Sequence, residues 1–228
     1  MKNLKIKSYC KINLTLRVLK KIKKDYHSIR SIITFCNVYD IITISKINTS
    51  KDIISFSGRF KKGISKEFNT ITKMLNLLRK IKILKNYYLK INVKKNIPHG
   101  SGLGGGSSNA ANLLNFLNRK VKLNLSKKKM IKLTKKVGFD VPISLERKNT
   151  FLTGKKDEML RLKQKFRLNI LVVFPNLTCS TKQIYKKNKK ILFFNQKSLP
   201  KFKNNKKLIN FLKNENNDLE ESVIKIYP

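Results

Sequence analysis

The sequence predicts an α+β fold in which strand-rich segments come first and lead into helices. Three N-terminal stretches are dense in Ile, Val, Thr and aromatic residues, which suit a pleated, half-buried surface. Later stretches repeat apolar residues three and four positions apart, as one face of a helix requires. Between the two kinds of segment lies a run with five glycines in the seven positions from Gly100 to Gly106.

In chain order, Lys5 to Leu19, Ile32 to Ile47 and Ile53 to Phe56 are expected as strands. Asn69 is placed to cap a helix running to about Leu84, and Tyr87 to Ile97 returns as a strand that leads into the glycines. The helix after them carries Ala110, Leu113, Leu114 and Leu117 on one face, with Ser107 or Ser108 as the expected N-cap. Ser126 caps the next helix, whose apolar face is Met130, Leu133 and Val137 and whose terminator is Gly138, so Asp140 falls just past a helix end. From Thr150 a second unit is expected, with a strand over Leu168 to Phe174, a turn at Pro175-Asn176 and a helix from Ser180. Lys186 to Lys207 reads as a Lys/Asn-rich connector. The expected domains are 1–149 and 150–228.

The glycine run has the character of a phosphate cradle. Glycine lets backbone N–H groups turn inward, and a following helix N-terminus adds unpaired donors and partial positive charge. It is not a Walker loop, because no lysine lies between Lys95 and Lys120. Gly100, Gly102 and Gly105 satisfy GxGxxG, but a dinucleotide site also wants an acid about 20 residues onward. There the chain reads Val121-Lys122-Leu123-Asn124-Leu125. A flexible linker would not sit between a strand and an apolar-periodic helix.

The run from Pro98 through Gly100, Gly102, Leu103, Gly104, Gly105, Gly106, Ser107, Ser108 and Asn109 to Ala111 resembles the second signature of the GHMP small-molecule kinases. Cys10-Lys11-Ile12-Asn13-Leu14, Asp25-Tyr26-His27, Gly138-Phe139-Asp140-Val141-Pro142 and Asn217-Asp218-Leu219-Glu220 are similar to motifs of one branch, the 4-diphosphocytidyl-2-C-methyl-D-erythritol kinases. That resemblance implies an N-terminal domain like the ribosomal protein domain-2 fold, followed by a ferredoxin-like C-terminal domain. The second domain is expected to be incomplete, since relatives continue past the point where this chain reads Tyr227-Pro228. It also implies ATP-dependent phosphorylation of the 2-hydroxyl of the cytidylylated methylerythritol, in the non-mevalonate route to isoprenoid precursors.

By the same resemblance, Asp140 is the carboxylate that directs the acceptor hydroxyl, and Lys11 is its partner, stabilising negative charge on both. Pro98, Gly100, Gly102, Leu103, Gly104, Gly105, Gly106, Ser107 and Ser108 hold the triphosphate, with Ser107 also meeting Mg2+. Asn69 and Lys95 match positions near the ATP base and ribose. Tyr26, His27 and Tyr185 are the expected cytosine readers, since the base offers a π face and a donor/acceptor edge, and Asn13 hydrogen-bonds the substrate or orders Lys11. Two departures stand out. Relatives read Asp-Gly-Tyr-His where Asp25 here joins Tyr26 directly, and Phe139 replaces a small residue.

Lys+Arg number 53 against 12 Asp+Glu, a formal charge of +41, which by itself points to nucleic acid or an anionic surface. The excess is nearly all lysine, accompanied by abundant Ile and Asn and spread without an aromatic platform. That pattern fits compositional drift better than specific nucleic-acid recognition. No apolar run approaches membrane-spanning length, and Lys11, Asn13 and Arg17 interrupt any signal-like core. Cys10, Cys36 and Cys179 are too widely spaced for a disulfide framework or a zinc pattern, which fits a reducing, cytoplasmic setting. The expected partner is a small cytidine diphosphate substrate, without a specific nucleic acid or a membrane, bound by a monomer or homodimer that uses ATP and Mg2+. The alternatives are another GHMP kinase, acting for example on homoserine or mevalonate, and a basic RNA-binding protein of related fold.

Overall fold

A computed structural model describes residues 3–23, 26–154, 158–177, 179–188, 202 and 204–227. They fall into two compact units, each assembled from separate stretches of chain. The first comprises the chain up to Lys11 with 36–99 and 103–147; the second comprises 12–35, 100–102 and 148 onward. The contiguous division at 149/150 therefore meets a return at Lys148, but residues 12–35 join the second unit as well. The expected connector falls largely on residues outside those described.

In the first unit, strand β1 (Leu4–Asn13) pairs with β3 (Tyr26–Ile47), a 22-residue strand that serves both units. The later half of β3 runs antiparallel to β5 (Tyr88–Lys94), with Ile42 opposite Val93 and Ile44 opposite Ile91. Strand β4 (Ile53–Ser57) lies parallel to β5 on its other side. Alternation in β3 and β5 sends Ile42, Ile44, Leu89, Ile91 and Val93 to one buried face.

Three helices cover that face. Helix α1 (Thr70–Lys80) is capped by Asn69, whose Oδ1 accepts from the Thr72 N–H at 2.9 Å. Helix α2 (Gly105–Lys120) contributes Ala110, Ala111, Leu113, Leu114 and Leu117, and α3 (Lys127–Val137), capped by Ser126, contributes Met130, Leu133 and Val137. Helix α1 stops at Lys80, short of Leu84, because Lys82 takes a positive φ of 57° that no regular helix continues.

In the second unit, the early half of β3 pairs antiparallel with β2 (Arg17–Lys23) and with β6 (Thr150–Thr153), and β6 pairs with β7 (Met159–Arg161). The expected first strand is broken over 14–16. Helices α4 (Thr181–Lys187), α5 (Asn205–Lys213) and α6 (Glu220–Ile224) complete the unit. Asp218, from the fourth motif, accepts the Val18 N–H at 2.8 Å and faces Arg17 at 3.6 Å, so its role there is to pin β2. The expected strand over Leu168 to Phe174 does not form: the segment is irregular, with Leu171 88% and Val173 78% exposed, and it has no ladder partner among the described residues.

Candidate active site

The glycine run turns through left-handed backbone at Gly100, Gly102 and Gly104, with φ of 69°, 75° and 67°. Gly104, not Ser107 or Ser108, is the N-cap of α2, and no side chain caps the helix. The helix begins earlier than its serines suggest because only glycine takes that φ at low cost. Its first intrahelical bond runs from the Ser108 N–H to the Gly104 C=O at 2.9 Å. The N–H groups of Gly105, Gly106 and Ser107 thus have no acceptor within the helix, and no acid occupies its first turn. Partial positive charge of about half an electron gathers at this end.

The space that side chains would take around these glycines is already filled. A Cβ on Gly104 would lie 2.7 Å from Lys11 Cγ and 3.1 Å from its Cε, so the lysine stem runs against the loop backbone. One on Gly105 would meet Ile97 Cγ2 at 3.0 Å and Lys95 Nζ at 3.3 Å. The Thr70 hydroxyl donates to the Gly106 C=O at 2.6 Å, which ties the start of α1 to the start of α2. Glycine at 104 and 105 is what lets Lys11, Ile97 and Lys95 pack directly against the loop backbone.

Lys11 is buried on β1, and its N–H donates to the Leu103 C=O at 2.9 Å. Its Nζ reaches Asp140 Oδ2 at 3.3 Å, while the Asp140 side chain stays 45% exposed. Asp140 is held at that place by its neighbours. Gly138 ends α3, the Val141 N–H donates to the Gly138 C=O at 3.2 Å, and the fully buried Val141 anchors the turn into a 3-10 segment at Pro142–Leu145. A carboxylate open to a substrate, with an ammonium on its inner side, is a pair that can accept a proton and stabilise the negative charge left behind.

The two serines divide the work. Ser108 Oγ is buried, donates to the Tyr9 C=O at 2.6 Å and lies 3.1 Å from Ser144 Oγ, so it fastens α2 to β1. Ser107 is half-buried, and its hydroxyl makes no hydrogen bond among the described residues, which leaves it available at the helix end. Asn69 spends its side chain on the α1 cap and on the Ser65 and Lys66 carbonyls. Lys95 is buried and bonded to Asp40, and Pro98 is buried where the strand passes into the loop.

In the second unit, the His27 and Tyr185 rings stack on each other at 5.3 Å between centroids and 21° between planes. Asn13 lies half-buried at the end of β1. The Tyr26 side chain and Asp25 lie outside the described residues. Lys11, Asp140, Lys95, Asn69 and the loop from Leu103 onward belong to the first unit, whereas Asn13, Tyr26, His27, Tyr185, Gly100 and Gly102 belong to the second.

Comparison with known proteins places this arrangement. Residues 69–147 match the family model for the GHMP kinases N terminal domain. Over its full length the chain is 41% identical to the 4-diphosphocytidyl-2-C-methyl-D-erythritol kinase of Pelagibacter ubique (strain HTCC1062), spanning 79% of that protein. The chain belongs to the 4-diphosphocytidyl-2-C-methyl-D-erythritol kinase family. It is 33% identical to the same-named protein of Petrotoga mobilis, over 98% of this chain and 86% of that one. It is 36% identical to that of Caldicellulosiruptor saccharolyticus over 79% of this chain, and there the match spans 61% of the relative. A crystal structure of 4-(cytidine 5'-diphospho)-2C-methyl-D-erythritol kinase superposes with a TM-score of 0.68 over 99% of this chain and 79% of that one, at 21% identity. Homoserine kinase from Cytophaga hutchinsonii superposes at 0.59, over 84% of this chain and 62% of that one, at 15% identity. At such identities these two likenesses establish the GHMP kinase fold.

One residue beneath the loop went unnoticed in the sequence. Asp40, fully buried on β3, accepts the Asn96 and Ile97 N–H groups at 2.8 and 2.9 Å through Oδ1, and the Asn109 amide at 3.0 Å and Lys95 Nζ through Oδ2. It thereby joins the strand entering the glycine loop to the helix leaving it. The signal was available: an acid flanked by Ile and Tyr in a strand must find partners, because an unpaired buried carboxylate is costly.

Proposed function

We propose that this chain transfers the γ-phosphoryl group of ATP to the 2-hydroxyl of 4-diphosphocytidyl-2-C-methyl-D-erythritol. The observation that carries the proposal is the Lys11–Asp140 pair, 3.3 Å apart, with the lysine stem lying on the backbone of Gly104. Asp140 Oδ takes the proton of the acceptor hydroxyl. The hydroxyl oxygen then bonds to the γ-phosphorus as the bond to the β-phosphate bridging oxygen breaks, and the exposed carboxylate returns its proton to water. Lys11 stabilises the charge developing on the transferred group and the attacking oxygen.

The triphosphate fits the N–H groups of Gly105, Gly106 and Ser107, which have no acceptor within the helix. Mg2+ fits beside the Ser107 hydroxyl; when bound, it would neutralise phosphate charge. Lys95 and Asp40 shape the cradle from below, and Asn69 sets the start of α1 beside it. In the second unit the stacked His27 and Tyr185 supply a flat aromatic surface of the kind that binds cytosine, with Tyr26 and Asn13 as further readers of the substrate. Among the described residues no helix is long and apolar enough to cross a membrane; we place the reaction in the cytoplasm.

The test is ADP release from Mg-ATP with the cytidylylated methylerythritol, homoserine or mevalonate as acceptor. Release with the first alone supports the proposal. Release with either of the others, or with none, overturns it.

A further inference from the structure

Cys10, Cys36 and Cys179 show no pairing pattern in the sequence, yet two of them meet in the fold. Cys10 lies on β1 and Cys36 on β3, which are paired strands. Their Sγ atoms are 2.7 Å apart. Cys10 is fully buried and Cys36 is partly exposed.

We infer that Cys10 and Cys36 form a reversible dithiol–disulfide site that small disulfides of the glutathione class oxidise. The sulfurs face each other across one strand pair, so closing to a bond of about 2.05 Å needs less than about 1 Å of movement. The partly exposed Cys36 reacts first. It loses its proton, its thiolate attacks one sulfur of the small disulfide, and the other sulfur leaves as a thiol. Cys10 then loses its proton and attacks Cys36 Sγ, expelling the second small thiol. Two protein thiols are oxidised and one small disulfide is reduced to two thiols.

Burial, followed by the neighbouring Cys36, pushes the Cys10 thiol up to about 12, so the second step is the slow one. Its rate rises about tenfold per pH unit below that value. Because the second step is slow, the mixed disulfide on Cys36 is the intermediate that accumulates first; excess small thiol returns it to the reduced state, and sustained oxidation lets Cys10 close the bridge.

Closure also has a place in the chain's path. Residues 12–35 pass into the second unit immediately after Lys11 and return immediately before Cys36. The bond spans a separation of 26 residues and closes this excursion, which carries Asn13, Tyr26 and His27, at its base. Constraining the unfolded chain over a loop of that length raises the thermal midpoint by about 5–10 °C.

The experiment exposes the reduced full-length protein to oxidised glutathione at several pH values, then alkylates free thiols, maps peptides by mass spectrometry and records the thermal midpoint. The expected result is a fall from three alkylatable thiols to one, a Cys10–Cys36 cross-linked peptide, a raised midpoint, and reversal of all three by dithiothreitol. Cys36→Ser, at the partly exposed position, abolishes the midpoint shift and the cross-link. A glutathione adduct on Cys36 that does not pass to the Cys10–Cys36 bridge faster as pH rises, a bridge to Cys179, or an unchanged thiol count overturns the inference.

Discussion

Substituting Gly104 by alanine separates backbone strain from contact with Lys11. The native φ of 67° lies in the left-handed region, which costs an L-residue about 1–2 kcal/mol. The new Cβ would also lie 2.7 Å from Lys11 Cγ, where ordinary contact begins at 3.4 Å, so the lysine stem must retreat by about 0.7 Å. Strain alone lowers the thermal midpoint by about 2–8 °C in a chain of this length. Retreat of the stem draws Nζ from its place 3.3 Å from Asp140, and a displacement of that order lowers kcat/KM by about 10–100-fold. Gly102→Ala supplies the comparison, because φ there is 75° but nothing lies within 4 Å of the added methyl. Differential scanning fluorimetry on both variants, alone and combined with Lys11→Ala, completes the cycle. With Lys11 truncated, the cost of Gly104→Ala falls to that of Gly102→Ala. Equal midpoint losses with and without Lys11, together with kcat/KM within about twofold of the parent, would refute the packing argument.

Asp40→Asn leaves the buried Lys95 ammonium without its carboxylate and destabilises the protein by roughly 3 kcal/mol, read as a lower midpoint in chemical denaturation; an unchanged midpoint would contradict the pairing. Ser108→Ala removes a buried hydroxyl that bonds Tyr9 and Ser144 and costs about 1 kcal/mol, whereas Ser107→Ala leaves stability unchanged and raises the Mg-ATP concentration needed for half-maximal ADP release. For Cys10 the folded-state value of about 12 lies above the ordinary 9.0, so the neutral buried thiol favours the fold fully below about pH 9, and that contribution is lost as pH rises toward 12. Relative to Cys10→Ala, the parent protein is expected to lose about 1 kcal/mol per pH unit across that window in urea titrations. A constant difference between the two proteins across the window would contradict it.

The parts of the fold that were legible from sequence are those governed by local chemistry. Asn69 and Ser126 cap α1 and α3 because each side chain accepts an N–H within three residues, which sequence displays directly. The same rule misled at α2, where Ser107 and Ser108 resemble caps. There the loop's approach to Lys11 and the left-handed Gly104 set the start, and Ser108 turns inward to β1. Leu168 to Phe174 has strand composition, but β-propensity acts only through cross-strand neighbours, and this segment finds none among the described residues.

Legibility of the candidate site divides in the same way. The left-handed glycine turns that lead into α2 could be reasoned from backbone physics. Lys11, one of 53 Lys+Arg, had no distinguishing local signal, and only the motif resemblance singled it out. Asp40 and the facing cysteines depend on pairings across tens of residues, which one sequence does not display.

The most direct test of the central claim is single-turnover phosphoryl transfer from Mg-ATP to 4-diphosphocytidyl-2-C-methyl-D-erythritol. The parent protein and Asp140→Asn are compared, with ATP affinity measured on the same samples. With the triphosphate on the loop as proposed, the variant is expected to keep its ATP affinity within about twofold and to transfer phosphate about 10²–10⁴-fold more slowly. Transfer by Asp140→Asn at the parent's rate would contradict the assignment of the proton to Asp140. Loss of ATP binding with the cradle intact would contradict the separation of binding from chemistry.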